Sequence, residues 1–207
     1  MLTGLDHIIL GINDLDRGVA WVERHTGVRA IFGGVHPGRG TRNALLALGP
    51  SCYLEIIAPD PQQPSPAWFT QVLTMPDPKL MAWAVHTPDL TLLAQTAVAA
   101  GLPIDGPHDG ARSRPDGKTL SWRLFRLRDD HGGLLPFFIE WSRDSVHPAA
   151  DAPSGCQLER FHLQSPDASE LARILQTLAV GVPVEPGEKP LISARLASPR
   201  GEVELSS

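Results

Sequence analysis

The sequence predicts an α+β protein: paired β-α-β-β-β modules forming a curved-sheet cup, with a third, partial module. Three observations carry that expectation. A strand-like run, an Asp-capped amphipathic segment and a glycine recur three times along the 207 residues. Further strand candidates follow each recurrence. Two of those strands, Tyr53-Leu54-Glu55-Ile56-Ile57 and Phe137-Phe138-Ile139-Glu140-Trp141, set one carboxylate inside an apolar run.

The first unit opens with Leu5-Asp6-His7-Ile8-Ile9-Leu10. Asp14 then caps a helix whose Leu15, Val19 and Val22 share one face, and Gly27 ends it. Strands are expected at Val28 to Val35, Asn43 to Leu48 and Cys52 to Ala58. The second unit begins at Leu80 to Val85, continues through Asp89 with Leu93, Ala94 and Ala97 to Gly101, and adds strands at Thr119 to Leu127 and Leu135 to Ser142. The third runs from Leu158 to Leu163, through Asp167, Leu171, Ile174 and Leu175 to Gly181, with strands at Leu191 to Ala197 and Glu202 to Leu205. The module boundaries are 1–60, 78–145 and 156–207. Pro59 to Pro66 reads as a linker, and Gly106 to Gly117 and Val146 to Gly155 read as breaks. The break at Gly106 is long enough to cover a site. One helix covers only one face of such a sheet, so the other face must meet a second module.

Bulk properties narrow the function. With 42% hydrophobic and 20% charged residues the chain has the balance of a folded globular protein. A formal charge of -5 with dispersed Lys and Arg excludes a dominant nucleic-acid role. Cys52 and Cys156 form no close-spaced pair, so neither a disulfide framework nor a zinc knuckle is expected. No apolar run reaches the roughly 18 residues of a membrane span, and the N-terminus lacks a secretion signal. A cytoplasmic protein with no membrane partner is the expectation.

The carboxylates point to chemistry because a buried bare charge must be protonated, paired or bound to a metal. Strand alternation puts His7 on a face with Leu5 and Ile9, and Glu55 on a face with Tyr53 and Ile57. Glu140 is taken as the counterpart of Glu55. Superposing Asp14 on Asp89 puts Ala82 where His7 stands in the first unit, with His86 near the end of the same strand face. Structural alternatives stand beside these. His7 can be a core histidine, Glu55 and Glu140 can pair with Arg42, Arg123 or Arg126, and Arg112, Arg114 and Arg123 can be solvated. His36 lies in a glycine-rich loop that lacks the ending of a phosphate loop.

At these residues the chain resembles the vicinal-oxygen-chelate superfamily, which includes glyoxalase I, extradiol dioxygenases and antibiotic-resistance proteins. It is most similar to the glyoxalase-like branch. The likeness rests on Asp6-His7, the loop His36-Pro37-Gly38-Arg39-Gly40-Thr41-Arg42-Asn43, Tyr53-Leu54-Glu55, Arg114-Pro115-Asp116-Gly117 before Trp122-Arg123, and Pro136 to Trp141. It covers roughly residues 1 to 145. The resemblance implies a cup whose floor holds a divalent metal (Zn, Ni, Mn, Co or Fe) or none, with His7, Glu55 and Glu140 as ligands. It also implies that Glu140 or His36 moves a proton, and that Thr41, Asn43, Arg114, Arg123 and His86 contact a small organic ligand. The function implied is a lyase, isomerase or dioxygenase-like enzyme using enolate-type or oxygen-chelate chemistry. The alternative is a metal-free protein that binds or sequesters a small molecule. The third module, without a partner in the chain, is expected to pair with its copy in a homodimer.

Overall fold

The computed structural model describes residues 4–64, 70–114 and 117–207, except for the side chain of residue 71. Two stretches named in the sequence reading, the end of the Pro59 to Pro66 linker and Pro115-Asp116, lie partly or wholly outside the described residues.

The fold is sheet-rich α+β with a closed barrel of eight strands and a separate sheet of four. The first part of the chain supplies β1 (Leu5–Gly11), α1 (Leu15–Thr26), β2 (Ile31–His36), β3 (Thr41–Gly49) and β4 (Cys52–Pro59). After a short α2 (Thr70–Leu73) come β5 (Lys79–His86), α3 (Leu90–Ala99), β6 (Ile104–Ser113), β7 (Thr119–Leu127) and β8 (Phe137–Trp141). The ring runs β1-β4-β3-β2-β6-β7-β8-β5. Each first strand lies parallel to the last strand of its own segment, β1 beside β4 and β5 beside β8, and β1 and β5 pair antiparallel to join the halves. Opposite this seam β2 and β6 meet at Val35 and Ser113.

The helix signals work as their chemistry requires. The Asp14 carboxylate accepts from the Arg17 amide, and Gly27 closes α1 at φ 79 while its N–H reaches the Glu23 carbonyl. Asp89 accepts from the Leu92 amide. The third copy departs from the pattern. In α5 (Ala168–Thr177) Asp167 makes no side-chain cap bond, and the helix ends at Leu178 with Ala179, not a glycine, at positive φ.

Alternation divides the barrel strands. Ile8, Leu10, Leu54, Ile56, Trp83, Val85, Phe125 and Phe138 face outward into the main core under the helices and the second sheet. Ile9, Ile57, Ala84, Leu124, Phe137 and Ile139 face inward as a smaller apolar cluster. The outward core continues into the second sheet, ordered β10-β9-β11-β12 from Val184–Pro186, Gln157–Ser165, Leu191–Ser198 and Gly201–Ser206. Phe161 packs there on Trp83 with ring centroids 5.1 Å apart. The sheet's free face carries Arg160 paired with Glu185 and Arg195 paired with Glu204. That charged surface supplies no apolar drive for the dimer contact expected of it.

Two segments read as breaks are ordered elements. Gly106 to Ser113 belongs to β6, because the register shift between Asp105 and His108 takes up Gly106 and Pro107, where a missing proline N–H breaks no ladder bond. The second, Val146 to Gly155, contains the short helix α4 (Pro148–Asp151), whose Ala149 packs on Leu45 and Tyr53. Among the described residues no helix is long and apolar enough to cross a membrane.

Candidate functional site

The polar centre lies inside the barrel, where β1, β3 and β4 run side by side. His7 on β1 is buried, and its Nδ1 lies 2.6 Å from the Asp6 carboxylate. Asp6 is fully buried, and its second oxygen accepts from Trp141 Nε1 at 2.9 Å and lies 3.1 Å from His147 Nε2. Burial works to raise the Asp6 pKa, but the hydrogen bonds from His147 and His7 and their charges hold it far below the usual carboxylate range. An anionic Asp6 only accepts, so the neutral tautomer of His7 that fits this contact carries its proton on Nδ1 and leaves Nε2 bare.

That Nε2 faces Glu55 on β4 at 3.6 Å, too long for a hydrogen bond. Glu55 accepts from Asn43 Nδ2 at 2.6 Å, and His36 Nε2 lies 3.8 Å from the same oxygen. Burial pushes the Glu55 pKa up. His36, His7, the Asn43 hydrogen bond and Arg112 outweigh it, so the group stays below its ordinary value. His36 is held against Thr41 Oγ1 at 2.8 Å, and burial lowers its pKa despite the opposing pull of Glu55. The Tyr53 ring stacks on His7 at 4.6 Å, and burial keeps its phenol protonated. Side-chain exposure separates the two carboxylates. Asp6 is 0% exposed and Glu55 9%.

Arg112 supports this floor from behind, donating to the Gly33 carbonyl and lying 3.5 Å from Asn43 Oδ1. A Cβ at position 33 would stand 2.5 Å from Asn43 Oδ1 and 2.7 Å from Arg112 Nη1, so a side chain there would displace both groups.

The structure thus brings His7, Glu55, His36, Thr41 and Asn43 together. Glu140 does not join them. It faces outward, accepting from the Leu90 amide at 3.0 Å and from Arg123 at 2.8 Å. The reading of Glu140 as ligand or base, and of Arg123 as a substrate grip, is corrected by strand parity: their side chains share the outer face, beside the first turn of α3. This is the Glu140–Arg123 ion pair held open as the structural alternative. Arg114 is bound to Asp151 at 2.7 Å, and His86 is exposed at the end of β5. His147, Asp6 in its role as anchor, and Arg112 in its role as support were not identified from sequence.

The second half offers no matching donors. With Asp14 superposed on Asp89, Ala82 matches His7 and Ala84 matches Ile9. Because Ile9 lies opposite Glu55 and Ala84 opposite Phe137, Phe137 takes the place of Glu55. Its ring meets His7 edge-on at 5.3 Å. Neither methyl nor phenyl coordinates a metal, and among the described residues no cluster of three or more His, Cys, Asp or Glu has metal-holding geometry. A ligand set drawn from both halves therefore does not fit these residues.

A separate open groove of about 420 Å³ lies along β6, β7 and β8, lined in part by Gly110, Trp122 and Trp141. It does not include His7 or Glu55, so the convergence of polar groups, rather than cavity size, locates the candidate site.

Comparison with known proteins agrees with this architecture. Residues 5–179 match the model of the glyoxalase-like domain. A hypothetical protein from Staphylococcus aureus superposes with a TM-score of 0.68 at 17% identity, covering 98% of this chain and 84% of that one. A Streptomyces coelicolor methylmalonyl-CoA epimerase variant in complex with 2-nitronate-propionyl-CoA gives 0.52 at 20% identity, over 70% of this chain and 99% of its own. A methylmalonyl-CoA epimerase with methylmalonyl-CoA and NH4+ gives 0.51 at 19%, over the same shares. At these identities the likeness is one of fold. No curated protein matches in sequence.

Proposed function

Because the chain belongs to the glyoxalase-like domain family, we propose that its barrel interior is the site of an enzyme that moves a proton on a small carbonyl compound. His7 Nε2 takes the proton from the carbon beside the carbonyl, the C–H electrons pass into an enolate, and the imidazolium returns a proton to that carbon. Asp6 fixes the tautomer that leaves Nε2 bare and stabilises the imidazolium that forms, the division of labour found in other carboxylate-oriented histidines. Glu55 is the counter-charge. A carboxylate held below its ordinary pKa is ionised at neutral pH and a poor base, so it suits stabilising a cation 3.6 Å away better than abstracting a proton. The observation that carries this reading is the 2.6 Å Asp6–His7 contact, which aims Nε2 at Glu55. No step is assigned to a metal, since Ala82 and Phe137 leave the second half without donors.

We read the three β-α-β-β-β segments as repeated units, of which the first two build the site. The methylmalonyl-CoA epimerases of the same fold are precedent for a small acyl ligand here. A second reading, a carrier that binds without reacting, is favoured by the apolar wall of Ile9, Leu124, Phe137 and Ile139.

The two readings separate in D2O. Small carbonyl acids incubated with the protein and followed by proton NMR are expected to exchange the hydrogen beside the carbonyl. His7→Gln is expected to slow that exchange at least about 100-fold, the usual scale of general base catalysis. Binding without exchange supports the carrier, and full exchange by His7→Gln overturns the role given to His7.

A further inference from the structure

We infer that Arg126 forms an anion subsite at the barrel mouth, so that the ligand of this protein carries an acidic group beside its reacting carbon. This inference rests on the reading of the barrel interior as the ligand site, and adds the class of molecule that enters it.

Arg126 lies directly across from Phe137 in the β7–β8 register, which puts both side chains on the inner face. Its guanidinium carbon sits 4.5 Å from the centre of the Phe137 ring. The same ring meets the His7 ring edge-on, with centres 5.3 Å apart. Phe137 thus neighbours both the guanidinium and the proposed base, and a small molecule lying against it comes within reach of both. The ring that takes the place of a second-half carboxylate becomes a platform for the guanidinium, and cation–π contact holds Arg126 over it.

Arg39 comes from the opposite side, on the turn that joins β2 to β3, with its amide bonded to the His36 carbonyl. Arg126 still reaches solvent, yet crowding by the protein lowers its pKa, and the charge of Arg39 is the next contributor. The same Arg39 charge acts on His36, behind burial, the opposing effect of Glu55 and the charge of Arg112. The charge of Arg39 thus adds to the positive field around Arg126 and His36.

Neither Arg126 nor Arg39 has a carboxylate at ion-pair distance among the described residues. The nearest acidic candidates for Arg126 are Asp105, across the β6–β7 pair, and Asp130. Asp105 is bound to His108 at 3.0 Å. Four surface arginines are ion-paired, Arg29 with Glu23, Arg160 with Glu185, Arg173 with Glu170 and Arg195 with Glu204, whereas Arg126 rests on a ring face. A guanidinium on the inner face without a counter-ion favours an anion there, and its planar fork suits a carboxylate or phosphate. An anionic group at the mouth also orients the ligand so that its carbonyl end points toward His7 and Glu55.

The test uses the full chain and two probes, oxamate as a carbonyl acid that cannot enolise and inorganic phosphate, titrated calorimetrically at low salt. Saturable one-to-one binding of oxamate is expected, weakened at least 10-fold by Arg126→Gln and less by Arg126→Lys. Arg195→Gln, at an exposed pair with Glu204 on the free face of the second sheet, is expected to bind as the parent does. Binding of phosphate in place of oxamate with the same dependence on Arg126 keeps the subsite and assigns it to phosphorylated ligands. No binding of either probe, or equal binding by Arg126→Gln, overturns the inference. Because the assay reads no turnover, it is independent of His7: Glu55→Gln is expected to bind the probes at least as tightly, whatever its effect on proton exchange.

Discussion

The two halves of the barrel share a topology and divide the work. The first, β1 to β4, supplies His7, Glu55, His36 and Asn43, whereas the second supplies Ala82, Phe137, Ile139 and Leu124 at its inward positions. One half holds proton-handling groups and the other shapes the space opposite them, with Arg126 at the rim. Two units of one topology need not carry the same side chains, and the lack of matching donors at Ala82 and Phe137 is why the proposed reading gives the centre a base held by Asp6 rather than a metal cage.

The largest expected effect comes from the anchor of the reactive half. Asp6→Asn leaves the His147 and His7 imidazoles facing a buried amide, and a loss of about 3 kcal/mol is expected in urea unfolding at neutral pH. Asp6 and Glu55 are both held below their ordinary pKa in the fold. The unfolded chain therefore takes up protons first, and the stability they provide is present above about pH 4 and lost as pH falls below it. Asp6→Asn is expected to flatten that acid limb.

The asymmetry itself can be reversed. Giving the second half the donor types of the first, with Ala82→His and Phe137→Glu together, is expected to create metal-dependent stability, about 2.7 kcal/mol at 100 times the dissociation constant. The parent protein, freed of metal by chelator, is expected to gain no thermal stability from added Zn, Ni, Mn, Co or Fe. A clear gain by the parent breaks the comparison. The smallest effect is expected at Glu140→Gln: little change in melting temperature and none in proton exchange, because that carboxylate ties Arg123 to the start of α3 outside the barrel.

Much of the fold was legible because its signals are local. Asp14, Gly27 and Asp89 act within one turn of helix, and β7 spans the residues its alternation predicted. The candidate site was half legible. His7, Glu55, His36, Thr41 and Asn43 come from the four strands of one half, where alternation fixes the face. Glu140 failed on parity: its apolar run imitates that of Glu55, but strand pairing matches Glu55 to Phe137, three positions away, and an odd offset turns a side chain to the other face. β6 was hidden by Gly106, Pro107 and Gly110, whose effect on pairing depends on a bulge and on the Trp122 ring lying against Gly110. His147 reaches Asp6 from 141 residues away, a contact that no local pattern announces.

The central claim is that Asp6 fixes His7 with its proton on Nδ1 and Nε2 bare toward Glu55. Nitrogen-15 NMR of the imidazoles, with His7 assigned through His7→Gln, reads this directly. The account predicts that neutral His7 gives a protonated Nδ1 and an unprotonated Nε2, and that Asp6→Asn removes this preference. A proton on Nε2 with Nδ1 bare in the parent protein would contradict it.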